Sequence, residues 1–131
     1  MNKNLTEEDF DELIYDNEEQ ALIFFHKEVC NACGDVSMEL ERLEGFGGWT
    51  FAGADALKEK GLFSRFGLNG VPQVLLFSGG KLIRTLSGRK TQSEYKSALE
   101  FHGYLGGSVV AVDHDNGKGC NQNICYFADV I

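Results

Sequence analysis

A chain of 131 residues with 43% hydrophobic and 24% charged side chains has the size and balance of one folded domain, not of a disordered or collagen-like chain. Its 20 acidic and 12 basic side chains give a formal charge of -8, which repels phosphate backbones and anionic lipid headgroups and so excludes nucleic acid and membrane as partners. The residues from Met1 to Glu8 carry acids where a secretory signal carries an apolar core, and no later stretch approaches a membrane span, so a cytoplasmic chain is expected.

Thr6 and Asp9 form a capping pair, and Phe10, Leu13 and Ile14 share one helical face, which predicts a short amphipathic helix at the start. The apolar run Ala21-Leu22-Ile23-Phe24-Phe25 is too short for a helix and reads as a strand buried on both faces. It leads into Cys30-Asn31-Ala32-Cys33, after which Val36, Leu40 and Leu43 recur at helical spacing and Gly45 marks a helix end. A helix is therefore predicted to begin at the cysteine pair. Thr50–Asp55 reads as a second strand, followed by a helical face of Leu57, Leu62, Phe63 and Phe66 stopped by Gly67. Val74–Phe77 and Lys81–Leu86 flank Ser78-Gly79-Gly80, the pattern of an antiparallel hairpin. Thr91 and Glu94 make a capping box for a last helix that buries Tyr95, Ala98, Leu99 and His102. The order αβαβαββα requires a mixed sheet with helices on both faces, an α/β fold.

A C-x-x-C motif serves either redox chemistry or metal binding, and composition does not choose between them. The thiolate is the attacking species in disulfide exchange, and a helix N-terminus stabilises that anion, which makes Cys30 the nucleophile. Cys33 lies within the same helical turn and is placed to resolve the mixed disulfide formed at Cys30.

With Cys30-Asn31-Ala32-Cys33 at the first strand-to-helix junction, and Val71-Pro72, Phe77, Gly79-Gly80 and Gly88 following in register, the chain resembles the thioredoxin family from its first helix to about Tyr104. The resemblance implies a thioredoxin-like domain over residues 1–104 and a C-terminal extension, 105–131, packed on the same domain. It implies a thiol–disulfide oxidoreductase that reduces protein disulfides, contributing to electron transport and cell redox homeostasis, with no cofactor and no metal. Its implied partners are a disulfide-containing protein and a thioredoxin-reductase-type electron donor. The family's cis-proline maps onto Pro72, and Val71 before it offers its backbone to an extended substrate; Asn31 and Ala32 alter the substrate surface between the cysteines. Phe24 and Phe51 stand where the family keeps a buried aspartate and its lysine partner, and Val29 replaces the usual tryptophan, so resolution is expected to lean on water. His26 reads as a surface or packing residue. The competing readings are a non-catalytic binding module and a metal-binding protein.

Beyond Tyr104, Gly106-Gly107 precedes Val109-Val110-Ala111-Val112, which suggests one more strand, and Asp113–Gly119 is rich in turn formers. Asp113, Asp115 and Asn116 do not complete a calcium loop. Cys120 and Cys125 form a second pair, read first as buried thiols or a structural staple, then as a second redox pair, and third as metal ligands with His114 or with Cys30 and Cys33. A Cys120–Cys125 disulfide requires the chain to curl back to a Cα separation of about 4.4–6.8 Å. A redox role further requires proximity to Cys30.

Overall fold

The computed structural model describes residues 1–16, 20–100, 120 and 122–126. His102, the suggested strand at Val109–Val112, the Asp113–Gly119 turn and the proposed boundary after Tyr104 lie outside them.

Helix α1 (Glu7–Asp11) starts as predicted: the Thr6 hydroxyl accepts the Asp9 N–H at 3.1 Å, and the Asp9 carboxylate accepts the Thr6 N–H at 3.5 Å. It does not continue as one helix through Ile14, because Glu12–Asp16 widens into a π-helical turn. That widening brings Tyr15 edge-on to Phe10 with ring centroids 6.0 Å apart, a pairing that an α-helix, with 3.6 residues per turn, places on different faces. The remaining elements are β1 (Ala21–His26), α2 (Asn31–Leu43), a 3-10 turn (Phe46–Gly48), β2 (Thr50–Asp55), α3 (Lys60–Arg65), β3 (Gly70–Val71), β4 (Gln73–Ser78), β5 (Lys81–Ser87), α4 (Gln92–Glu100) and β6 (Cys125–Tyr126).

The main sheet has the order β2-β1-β4-β5, with β1 parallel to β2 and antiparallel to β4, and β4 antiparallel to β5. This is the mixed sheet that the alternation of elements required. Side chains alternate across a strand, and the ring contacts show which helices cover each face. Phe25 meets Phe63 of α3, while Phe77 meets Phe10 of α1 and Phe66, all edge-on at 5.3–5.6 Å. Leu22 and Phe24 therefore point to the opposite face, under α2, which packs beside α4. Arg65 ties α3 to α1 through Glu7 at 2.6 Å and Asp11 at 2.8 Å, so part of the acidic N-terminal run is paired and not simply solvated.

Leu57 does not join the α3 face. The Asp55 carboxylate accepts the N–H groups of Leu57 and Lys58 at 2.9 and 3.2 Å, which holds them in a turn and leaves Leu57 exposed before the helix begins. At the far end, Gly67 takes φ +66°, the left-handed conformation that ends a helix. Helix α4 carries the predicted capping box, with Thr91 and Glu94 exchanging two bonds of 3.2 Å, and it buries Tyr95, Ala98 and Leu99. The Tyr95 hydroxyl accepts the Lys90 N–H at 3.2 Å, and burial pushes its phenol well above the usual range. The Trp49 indole N–H donates to the Leu99 carbonyl at 3.0 Å, fixing the end of α4 against the 3-10 turn. Two strands were not anticipated, β3 and β6, each of two residues and paired with one another.

Candidate active site

Strand β1 runs through the core, and its exit delivers the chain to Cys30, the N-cap of α2. The backbone there is extended, and Sγ of Cys30 accepts the Cys33 N–H at 3.2 Å, filling the place usually taken by a serine or aspartate oxygen. Cys30 and Cys33 are joined as a disulfide with Cα atoms 5.3 Å apart. Burial separates the two sulfurs: Cys30 is half-buried at the rim, whereas Cys33 is 6% exposed. An incoming group therefore reaches Cys30 first. Val29 is 82% exposed beside it, an apolar residue set on the rim. Asn31 is also exposed, but Ala32 is buried, so of the two residues between the cysteines only Asn31 presents its side chain outward.

A cleft of about 250 Å³ lies next to the disulfide, lined by Lys3, Phe24, His26, Lys27, Glu28, Cys30, Cys33, Gly34 and Ser37. Phe24 is buried opposite Gly53, its ring 5.3 Å from that of His26, and it gives this side of the cleft an apolar surface with no carboxylate. Phe51 sits two residues further back, opposite Leu22, and does not line the cleft. His26, read from sequence as a surface or packing residue, does. Its Nε2 lies 3.0 Å from the Lys3 carbonyl, which fixes the proton on Nε2 and leaves Nδ1 as the basic nitrogen. Burial holds the imidazole below its ordinary value, against the opposing influence of the Lys3 carbonyl and Asp55, so it is neutral at pH 7. The signal for His26 was present in the alternation of β1, which puts it on the face of Phe24.

The Val71–Pro72 peptide is cis, as the family resemblance implied, and the Val71 carbonyl O lies 3.8 Å from Cys30 Sγ. Val71 does not stand open to an extended chain, however. It is buried and already paired with Cys125 through the antiparallel β3–β6 ladder. Cys120 and Cys125 form a second disulfide, their Cα atoms 4.0 Å apart and bridged in antiparallel fashion. The curl required by sequence is present, with the two residues facing each other across a bridge, and the separation falls below the anticipated range of about 4.4–6.8 Å. Among the described residues, no group of three or more ligating side chains is arranged to hold a metal ion, and no helix is long and apolar enough to cross a membrane.

Comparison with known proteins places this geometry. Thioredoxin from Streptomyces clavuligerus is 23% identical over 92 residues, spanning 70% of this chain and 86% of that protein. A mutant thioredoxin from Halobacterium salinarum superposes with a TM-score of 0.67 at 22% identity, over 75% of this chain and 88% of the other. Plasmodium falciparum thioredoxin does so with a TM-score of 0.69 at 18% identity, over 79% and 100%. The family profile named Thioredoxin matches residues 1–100, the region holding the main sheet, helices α1 to α4 and the Cys30–Cys33 pair, and the chain belongs to the thioredoxin family.

Proposed function

We propose that this protein is a thiol–disulfide oxidoreductase that reduces protein disulfides through Cys30 and Cys33. Family membership and the Cys30–Cys33 disulfide support redox chemistry at thiols in general. The observation that carries the finer reading is the division of labour in burial and capping: a half-buried sulfur at the N-terminus of a 13-residue helix, and a buried sulfur one turn on. The amide of Cys33 and the unpaired N–H groups of the first turn favour negative charge at Cys30, which attacks the substrate disulfide. Cys33 then attacks Cys30 Sγ, the mixed disulfide breaks, and the substrate leaves as a dithiol. With Phe24 in the apolar wall, the proton of Cys33 passes to water in the cleft, where His26 and Glu28 are the protein bases. A reductase-type donor returns the two electrons, consistent with a chain acting in the cytoplasm, where accessible dithiols are kept reduced.

An insulin turnover assay with a reducing system tests this reading. Cys30→Ser abolishes reduction, and Cys33→Ser accumulates a mixed disulfide visible as a gel shift. Full activity in Cys30→Ser refutes it.

A further inference from the structure

The two disulfides of this chain meet at one residue. The carbonyl O of Val71 is 3.8 Å from Cys30 Sγ, and Val71 is the register partner of Cys125. Facing residues of an antiparallel pair have Cα atoms about 4.5–5.5 Å apart. Cys125 is thus one strand's spacing from the residue whose carbonyl lies against the half-buried sulfur of the active site. It is buried in the same apolar cluster as Cys33 and Val71, the cluster against which Cys30 packs, while Cys120 is exposed.

The seating of β6 is specific. The Asn123 carbonyl accepts the Arg89 N–H at 2.7 Å, and Ile124 is buried. Gly70 leaves the room: a Cβ there would stand 2.6 Å from the Cys125 carbonyl O and 3.1 Å from two carbons of Ile124. The Cys120–Cys125 bond itself spans a sequence separation of only five and ties no distant element to the sheet, which is little use as a staple.

We propose that Cys120–Cys125 is a disulfide substrate built into the chain and exchanged by Cys30 and Cys33. This rests on the exchange chemistry assigned above and adds a second redox centre to it. Once an external dithiol has reduced the first pair, the Cys30 thiolate attacks Cys125 Sγ. The Cys120–Cys125 bond breaks, and Cys120 leaves as a thiolate that solvent stabilises and water protonates. Cys33, its proton lost to water, attacks Cys30 Sγ and expels Cys125 as a thiolate, which is protonated in turn. Two electrons and two protons have then passed to the tail, leaving Cys30–Cys33 oxidised and Cys120 and Cys125 reduced.

The full-length Cys33→Ala variant tests the first step, because it cannot resolve the intermediate. Alkylation followed by non-reducing peptide mapping should recover a Cys30–Cys125 linkage with Cys120 alkylated. Recovery of an intact Cys120–Cys125 linkage and alkylated Cys30, from protein whose Cys30 still captures an aromatic disulfide reagent, overturns the internal exchange while leaving the proposed function standing. A Cys30 that is recovered as a free thiol and still fails to react with that reagent overturns both. A kinetic measurement needs no trapped species: oxidised wild type and Cys30→Ser are dosed with dithiothreitol and quenched at intervals. Tail reduction should be slower in Cys30→Ser by about tenfold or more, as expected when a buried sulfur loses its neighbouring nucleophile; equal rates overturn the proposal.

Discussion

Replacing Gly70 with alanine should undock β6 and leave the main sheet intact. The backbone of Gly70 is not in the left-handed region, so alanine itself fits the local conformation, and the obstacle is the Cys125 carbonyl 2.6 Å from the new methyl. Restoring an ordinary contact of roughly 3.4 Å moves the strand by about 0.8 Å, which stretches ladder bonds of about 2.9 Å beyond useful length. Undocking exposes the buried Ile124 side chain, worth roughly 2–3 kcal/mol. The entropy that alanine removes from the unfolded chain returns about 0.5–1 kcal/mol. The net loss of about 1–2.5 kcal/mol corresponds to a fall in amide protection in β6 of about fivefold to sixtyfold. Hydrogen exchange followed by mass spectrometry of the 122–126 region reads this directly, with β1 and β4 as internal controls. Gly34 supplies the opposite case, since nothing lies within 4 Å of its added Cβ in α2 and alanine there should stabilise by roughly 0.5–1 kcal/mol. Unchanged protection of β6 in Gly70→Ala would refute the reasoning.

Phe24→Asp removes a buried ring and places a carboxyl against the apolar wall of the cleft, so unfolding free energy should fall by about 3 kcal/mol or more, and the pH profile of the Cys33 step should gain an ionisation. Urea denaturation and trapping kinetics across pH check both; no change in either would show that Phe24 does not border the reacting sulfurs. Because burial holds His26 below its ordinary 6.5 in the folded chain, the unfolded chain takes up that proton first. Its contribution is complete above pH 6.5 and is lost as pH falls through the lower folded value, so His26→Gln, which keeps a donor toward Lys3, should flatten the loss of stability as pH falls below about 6.5. Thr91→Ala should lower the unfolding free energy measured by urea denaturation by about 1 kcal/mol, with Thr91→Ser close to wild type, because the hydroxyl caps the Glu94 N–H.

Much of this architecture was legible because it is written locally. The apolar run of β1, the glycine turn before β5 and the capping pairs at Thr6 and Thr91 each draw on neighbouring residues, and so does a cysteine at a strand exit that becomes a helix cap. Ala32, read from sequence as part of the substrate surface, is instead buried, and the signal was there: it falls on one stripe with Val36, Leu40 and Leu43. The strands β3 and β6 were not, because two residues carry no periodicity. Their pairing joins Val71 to Cys125 across the whole second half of the chain, and no local pattern encodes such a partner. The exposure of Leu57 was hidden for a different reason: the Asp55 carboxylate competes with the helix for its backbone.

One atom of this chain is a structural cap and, in the proposed mechanism, also a reactant. Sγ of Cys30 accepts the amide of Cys33, so the residue proposed to resolve the mixed disulfide is tethered by its own backbone to the atom it would attack. A charge-assisted bond to a thiolate is stronger than one to a neutral disulfide sulfur, and this hydrogen bond therefore strengthens as the covalent Cys30–Cys33 link is lost on reduction. Each chemical state of the site leaves its own mark on a single backbone proton, and the amide resonance of Cys33 offers a spectroscopic record of the catalytic cycle that needs neither label nor substrate.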